Sequence, residues 1–144
     1  MALTLEDRLA IRDLFARQNL AYDRREPQKT AAMFTEDGVL ELTGSDLTFR
    51  GRDAIERYMA RLLEVTGDDF RHWTNSLVIE GDGDAASVEC YIAAFGMRDG
   101  ALRLAGRYFD ALRKVNGEWL FEHRRYEREY SDNSTPSAAD RLRE

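Results

Sequence analysis

FRHWTNSLVIEGDGDAASVECYIAAFGMRDGALRLAGRYFDALRKVNGEWLFEHRRYEREY, residues 70–130, decides the fold. Within it, Phe70 to Ile79, Ala85 to Met97, Leu102 to Val115 and Glu118 to Tyr130 are strand-like runs. They are separated by Asp82-Gly83-Asp84, Arg98-Asp99-Gly100 and Asn116-Gly117. Such short Asp, Asn and Gly connections are hairpin turns, because these residues reach positive φ at little cost. Consecutive strands joined this way make a largely antiparallel sheet. Strands of this length must twist, and Gly96 and Gly106 offer places to bulge or bend, so the sheet is expected to curl into a cone with one hollow face.

Upstream of residue 70 the hydrophobic period changes. Ile11, Leu14, Phe15 and Tyr22 recur at helical spacing behind Thr4 and Asp7, an acidic form of the capping box, which predicts a helix from Leu5 to Tyr22. Pro27 suits the first turn of a short second helix through Phe34, closed by the polar turn Thr35-Glu36-Asp37-Gly38. Val39 to Leu42 and Leu47 to Phe49 read as short strands. Ile55, Tyr58, Met59, Leu62, Leu63 and Thr66 then mark a third helix, with Gly67 as its stop. These apolar stripes need a surface to cover. The predicted class is therefore α+β, a curved, largely antiparallel sheet forming a cone with about three N-terminal helices over its concave face. That domain is expected over residues 1–130, followed by a flexible C-terminal tail over 131–144.

The chain of 144 residues has the size of one domain, and 43% hydrophobic with 33% charged residues is ordinary globular composition. A net charge of -6 argues against nucleic acid, whose binding needs clustered Lys and Arg against phosphates. Cys90 is the only cysteine, set between Val88 and Ile92, so it reads as a buried structural thiol. The acidic start Met1 to Arg8 and the lack of a long apolar run predict a cytoplasmic protein that does not engage a membrane. No phosphate-binding glycine loop, Cys/His ligand cluster or nucleophile elbow is visible, so neither a cofactor nor a metal is expected.

Several segments, taken together, resemble the SnoaL-like family of the nuclear transport factor 2-like superfamily. They are Ala21-Tyr22-Asp23, Met33 to Gly38, Phe49 to Ile55, His72 at the opening of a strand, and Asn116-Gly117-Glu118-Trp119. The resemblance extends to about Tyr130. It implies the cone fold, and it implies that Tyr22, Asp23 and His72 stand where the family's dehydratases and dehydrochlorinases carry a pocket tyrosine, an aspartate and a catalytic histidine. Arg124 or Arg125 would fill the place of an arginine late in the last strand.

The residues themselves leave two accounts of Asp23. A carboxylate at a helix C-terminus faces the negative end of the helix dipole and needs compensation. Arg24 or Arg25 can screen it on the surface, or it can accept an imidazole N–H and hold a histidine in one tautomer. On its strand His72 shares a face with Phe70, Thr74, Ser76 and Val78, opposite Arg71, Trp73, Asn75 and Leu77, while His123 reads as structural. With Asp23 orienting His72 as a general base, the expected function is a cofactor-independent, dehydratase-like lyase acting on a small hydrophobic or aromatic compound. Tyr22, Tyr91 or Tyr108 would donate to a developing oxyanion, and Arg124 or Arg125 would hold a departing anion. Phe34, Phe49, Tyr58, Met59, Tyr91, Tyr108 and Trp119 are the expected pocket wall. The alternatives are an isomerase on the same scaffold, or a non-catalytic binding or assembly module such as the small subunit of a ring-hydroxylating dioxygenase. Apolar residues on both faces of Ala85 to Met97 predict a homo-oligomer, a dimer or a trimer.

Overall fold

The computed structural model describes residues 1–66 and 69–133. The chain runs α1 (Leu5–Asp23), α2 (Pro27–Ala32), β1 (Phe34–Thr43), β2 (Leu47–Arg50), α3 (Arg52–Val65), β3 (Phe70–Asp82), β4 (Ala85–Gly96), β5 (Leu102–Val115) and β6 (Glu118–Ser131). Its six strands form one curved sheet in the order β2-β1-β6-β5-β4-β3. Neighbours pair antiparallel except β1 and β6, which run parallel. The expected α+β architecture is thus the observed one. Asn116 and Gly117 take φ of 51° and 83° in the turn joining β5 to β6, as a two-residue hairpin requires.

Helix α1 begins at the predicted capping box. Thr4 Oγ1 accepts from the Asp7 N–H at 3.0 Å, and Asp7 Oδ2 accepts from the Thr4 N–H at 3.0 Å. Asp7 does more than cap, because its Oδ1 also accepts from Lys114 Nζ on β5 at 2.9 Å and from Trp119 Nε1 on β6 at 3.1 Å. These bonds, Lys114 foremost, hold its carboxyl well below the usual carboxylate range. Ile11, Leu14 and Phe15 continue the stripe into the core, where they meet Phe34, Ile55, Leu112 and Phe121.

Strand phase is where the fold departs from the simple alternation read along the sequence. Helix α2 stops at Ala32, and Phe34 opens β1. Thr35 to Gly38 is a bulged part of that strand rather than a turn: pairing passes from Phe34↔Phe121 to Val39↔His123. On β3 the pairing passes from Asn75↔Tyr91 to Val78↔Glu89, one extra residue on the β3 side, and Ser76 adopts φ 57°. An odd insertion flips the two-residue period. Ser76 and Val78 therefore leave the face of His72, Val78 becomes 58% exposed, and Leu77 and Ile79 pack on the core instead. On β6 the pairing passes from Leu112↔Phe121 to Ala111↔His123, which inserts Glu122. Trp119 and Phe121 point inward before that bulge, and Arg124 points inward after it.

Gly106 sits at a further shift, between Ala105 and Gly106, where a Cβ would lie 2.1 Å from the Glu127 carbonyl oxygen. Gly96 closes β4 instead of bending its interior. Helix α3 ends at Val65, and the Gly67 stop lies outside the described residues. Of the expected tail, Ser131 completes β6 and the Asp132 N–H donates to the Arg103 carbonyl at 3.0 Å; residues 134–144 lie outside the described residues. No helix among the described residues is long and apolar enough to cross a membrane.

Candidate active site

Helix α1 delivers Asp23 at its last turn, and β3 delivers His72 near its start. Asp23 Oδ1 lies 2.6 Å from His72 Nδ1, and the His72 backbone N–H donates to both carboxylate oxygens at 3.1 and 3.2 Å. The side chains are 8% and 10% exposed. Donors from His72 thus answer the negative end of α1. A carboxylate that accepts from Nδ1–H leaves Nε2 as the acceptor nitrogen of the neutral ring. The Tyr22 ring stands edge-on to the imidazole, with centroids 4.1 Å apart, and restricts its rotation. Arg25, the alternative partner for Asp23, donates to the Leu63 and Thr66 carbonyls at 2.8 and 3.2 Å and so ties α1 to the end of α3.

His72 opens on a cavity of about 300 Å³. Leu40, Leu42, Met59, Leu62 and Leu104 give it apolar walls, and Tyr22, Tyr58, Tyr108 and Tyr126 add phenols. Burial raises the pKa of each of these tyrosines, so all four remain neutral hydroxyls at physiological pH. Arg124 lines the same cavity and bonds Asp110 in bidentate fashion, Nε to Oδ1 at 2.9 Å and Nη2 to Oδ2 at 3.1 Å. Its guanidinium lies 3.6 Å from the Tyr108 ring centroid and 4.2 Å from that of Phe121. Burial works against its charge, yet Asp110 holds it protonated with a pKa above the ordinary arginine value.

The structure sorts the residues singled out in the sequence. Tyr22, Tyr58, Met59, His72, Tyr108 and Arg124 line the cavity, with Asp23 directly behind His72. Phe49 stacks on Tyr58 at 4.2 Å, behind the wall. Phe34 and Trp119 do not line it; they are 0% and 4% exposed in the core. Tyr91 is also no part of it, because Cys90 and Ile92 take the inward phase of β4 and leave Tyr91 51% exposed outside, beneath Arg107. Arg125 lies on the outer face over Phe109, placed there by the Glu122 bulge. His123 contacts Glu41 at 2.9 Å in an outer groove, with side chains 44% and 37% exposed.

Gln18, Asn19, Tyr126 and Arg128 are cavity residues that the sequence reading passes over. Gln18 had a signal: it falls four residues after Leu14 and four before Tyr22, a polar side chain inside an apolar stripe. Tyr126 and Arg128 follow Arg124 by two and four positions on one strand face. Among the described residues, no group of three or more His, Cys, Asp or Glu side chains gathers where it could hold a metal ion.

A curved sheet with helices over a pocket, and a buried imidazole on the wall backed by a carboxylate, defines the class of small cone-fold pocket proteins. Residues 3–125 match the SnoaL-like domain, and the chain belongs to that family. Among solved structures, a cystatin-like-fold protein of unknown function from Nostoc punctiforme shares 27% identity at a TM-score of 0.84, over 94% of this chain and 98% of that one. A scytalone dehydratase-like protein from Novosphingobium aromaticivorans superposes with a TM-score of 0.79 at 22% identity, over 90% and 88% of the two chains. A type 2 hexachlorocyclohexane dehydrochlorinase gives 0.76 at 20% identity, over 88% and 87%. At those last identities the likeness is one of fold. Comparison with curated proteins finds no match.

Proposed function

We propose that the protein is a cofactor-independent lyase that eliminates a leaving group from a small hydrophobic or aromatic compound. His72 is its general base and Asp23 the residue that orients it. The observation that carries this reading is the 2.6 Å contact between Asp23 Oδ1 and His72 Nδ1 at the wall of the cavity. Nε2 takes a proton from a substrate carbon, the C–H electron pair becomes the new double bond, and the leaving group departs from the adjacent carbon with its own pair. Asp23 stabilises the imidazolium that forms, and a positioned base of this kind contributes about 10²–10⁴ in rate. Tyr22, Tyr108 and Arg124 line the same cavity, which supports a role for the neutral phenols as donors to developing negative charge and for Arg124 as the group that holds the departing anion. The shared fold of a dehydratase-like protein and a dehydrochlorinase supports elimination as the reaction type.

The test is turnover on a panel of hydroxylated and halogenated ring compounds. His72→Ala should abolish it with circular dichroism unchanged, and Asp23→Asn should lower kcat by about 10²-fold or more. The double variant should lose little beyond His72→Ala, since the two side chains act as one unit. A His72→Ala protein that turns over the substrate at the wild-type rate would refute His72 as the base, and a wild-type protein that binds members of the panel without turning any over would transfer the reading to a non-catalytic binding module.

A further inference from the structure

Gln18 is 4% exposed, and its side-chain amide oxygen has no hydrogen-bond partner among the described residues. The Tyr126 hydroxyl is buried and equally unpartnered. Both residues line the cavity that His72 faces. Buried polar groups in folded proteins are nearly always satisfied, and an orphan costs stability. At position 18 the cost is avoidable in sequence terms, because a Leu or Met there would extend the buried stripe of Ile11, Leu14 and Phe15. A polar side chain that weakens the empty protein needs a partner that arrives later. The apolar walls around it do not supply one.

We infer that Gln18 and Tyr126 are specificity-determining residues that select a ligand bearing an O–H or N–H donor. The Gln18 amide oxygen accepts from that donor, and the Tyr126 hydroxyl donates to the same oxygen or nitrogen atom that carries it. The inference rests on the cavity being the substrate site proposed above, and it narrows the substrate to oxygenated or aminated ring compounds. A hydrocarbon or halocarbon of equal shape has no donor, so it leaves the Gln18 oxygen as unsatisfied as in the unliganded protein and forgoes the hydrogen bond that a donor-bearing ligand gains. Sites built around a hydrogen bond reject the analogue that lacks it far more strongly than apolar pockets distinguish shapes.

Binding rather than turnover tests this, so that the roles of Gln18 and of His72 fail separately. 1-Naphthol and naphthalene share a ring system and differ by one hydroxyl. Their Kd values are measured by fluorescence titration against wild-type, His72→Ala, Gln18→Leu and Tyr126→Phe proteins. Wild-type and His72→Ala proteins should both bind 1-naphthol at least tenfold more tightly than naphthalene. Gln18→Leu should erase that preference, and its unliganded Tm should equal or exceed that of the wild type. Tyr126→Phe should weaken 1-naphthol while leaving naphthalene unchanged. Should Gln18→Leu fail to fold, Gln18→Met, closer to glutamine in shape, takes its place. Equal affinities in the wild type, no binding of either probe, or a preference that survives the Gln18 substitution would overturn the inference.

Discussion

Replacing Arg124 by Met strands a charge, and the structure sets the size of the penalty. The Arg124 and Asp110 side chains are 4% and 0% exposed and meet through two hydrogen bonds of 2.9 and 3.1 Å. Removing one member of a buried pair costs about 3–5 kcal/mol, because the survivor keeps its charge without its partner. Near 2–4 °C per kcal/mol for a chain of this size, Arg124→Met should melt roughly 6–20 °C below wild type at pH 7. Adding Asp110→Leu removes the stranded carboxylate and should restore most of the loss. The pH dependence has a definite sign. Burial already pushes the Asp110 carboxyl above its ordinary range against the pull of Arg124, and without Arg124 it rises further. A carboxyl whose pKa is higher folded than unfolded destabilises when ionised, so the deficit is largest at neutral pH and shrinks as pH falls toward the unfolded value near ~3.9. Scanning calorimetry of wild type, both single variants and the double variant at pH 7 and pH 4.5 reads all of this. An Arg124→Met protein within about 1 kcal/mol of wild type at pH 7, or a double variant no more stable than the single, would refute the reasoning.

Gly106→Ala places a methyl group 2.1 Å from the Glu127 carbonyl oxygen, so β5 and β6 must separate locally; the urea midpoint should fall by the equivalent of about 1–3 kcal/mol, and an unchanged midpoint would contradict that close approach. The Cys90 thiol is 2% exposed, and burial pushes its pKa up to about 12, so iodoacetamide at pH 8 should label it far more slowly in the native protein than in urea. Equal labelling rates would show that β4 opens freely. Trp73, Val78 and Tyr91 are 63%, 58% and 51% exposed on the outer face of β3 and β4, and a dimer or trimer that covers them is the expected solution state. Light scattering that gives a monomer at high micromolar concentration would count against it.

The turns are legible because Asn116-Gly117 and Asp82-Gly83-Asp84 carry their backbone preferences in their residue types. The stripe of α1 is legible for a similar reason, since Ile11, Leu14 and Phe15 repeat at the helical period. The meeting of Asp23 with His72 is legible through family resemblance, because nothing local links residues 49 positions apart. Strand phase is not legible. One inserted residue reverses inward and outward without altering composition, and for that reason alternation carries Ser76 and Val78 to the wrong face and leaves Arg124 and Arg125 undivided. The pocket wall suffers from the same blindness: Phe34, Tyr91 and Trp119 are the right residue types in the wrong phase or layer. Gln18 escapes notice because a search for apolar periodicity passes over the polar residue that interrupts it.

The four-way junction at Asp7 bears on the order in which the molecule is made. Lys114 and Trp119 follow Asp7 by 107 and 112 residues. On the ribosome α1 emerges before the partners that fasten its start, which follow roughly 5–20 s later at ordinary rates of synthesis. Throughout that interval Ile11, Leu14 and Phe15 have no β5–β6 hairpin to pack on, and the helix that carries Gln18 and Asp23 has no fixed position. The pocket is therefore a late product of folding, and the nascent helix is the segment most exposed to chaperones and to premature association between neighbouring chains.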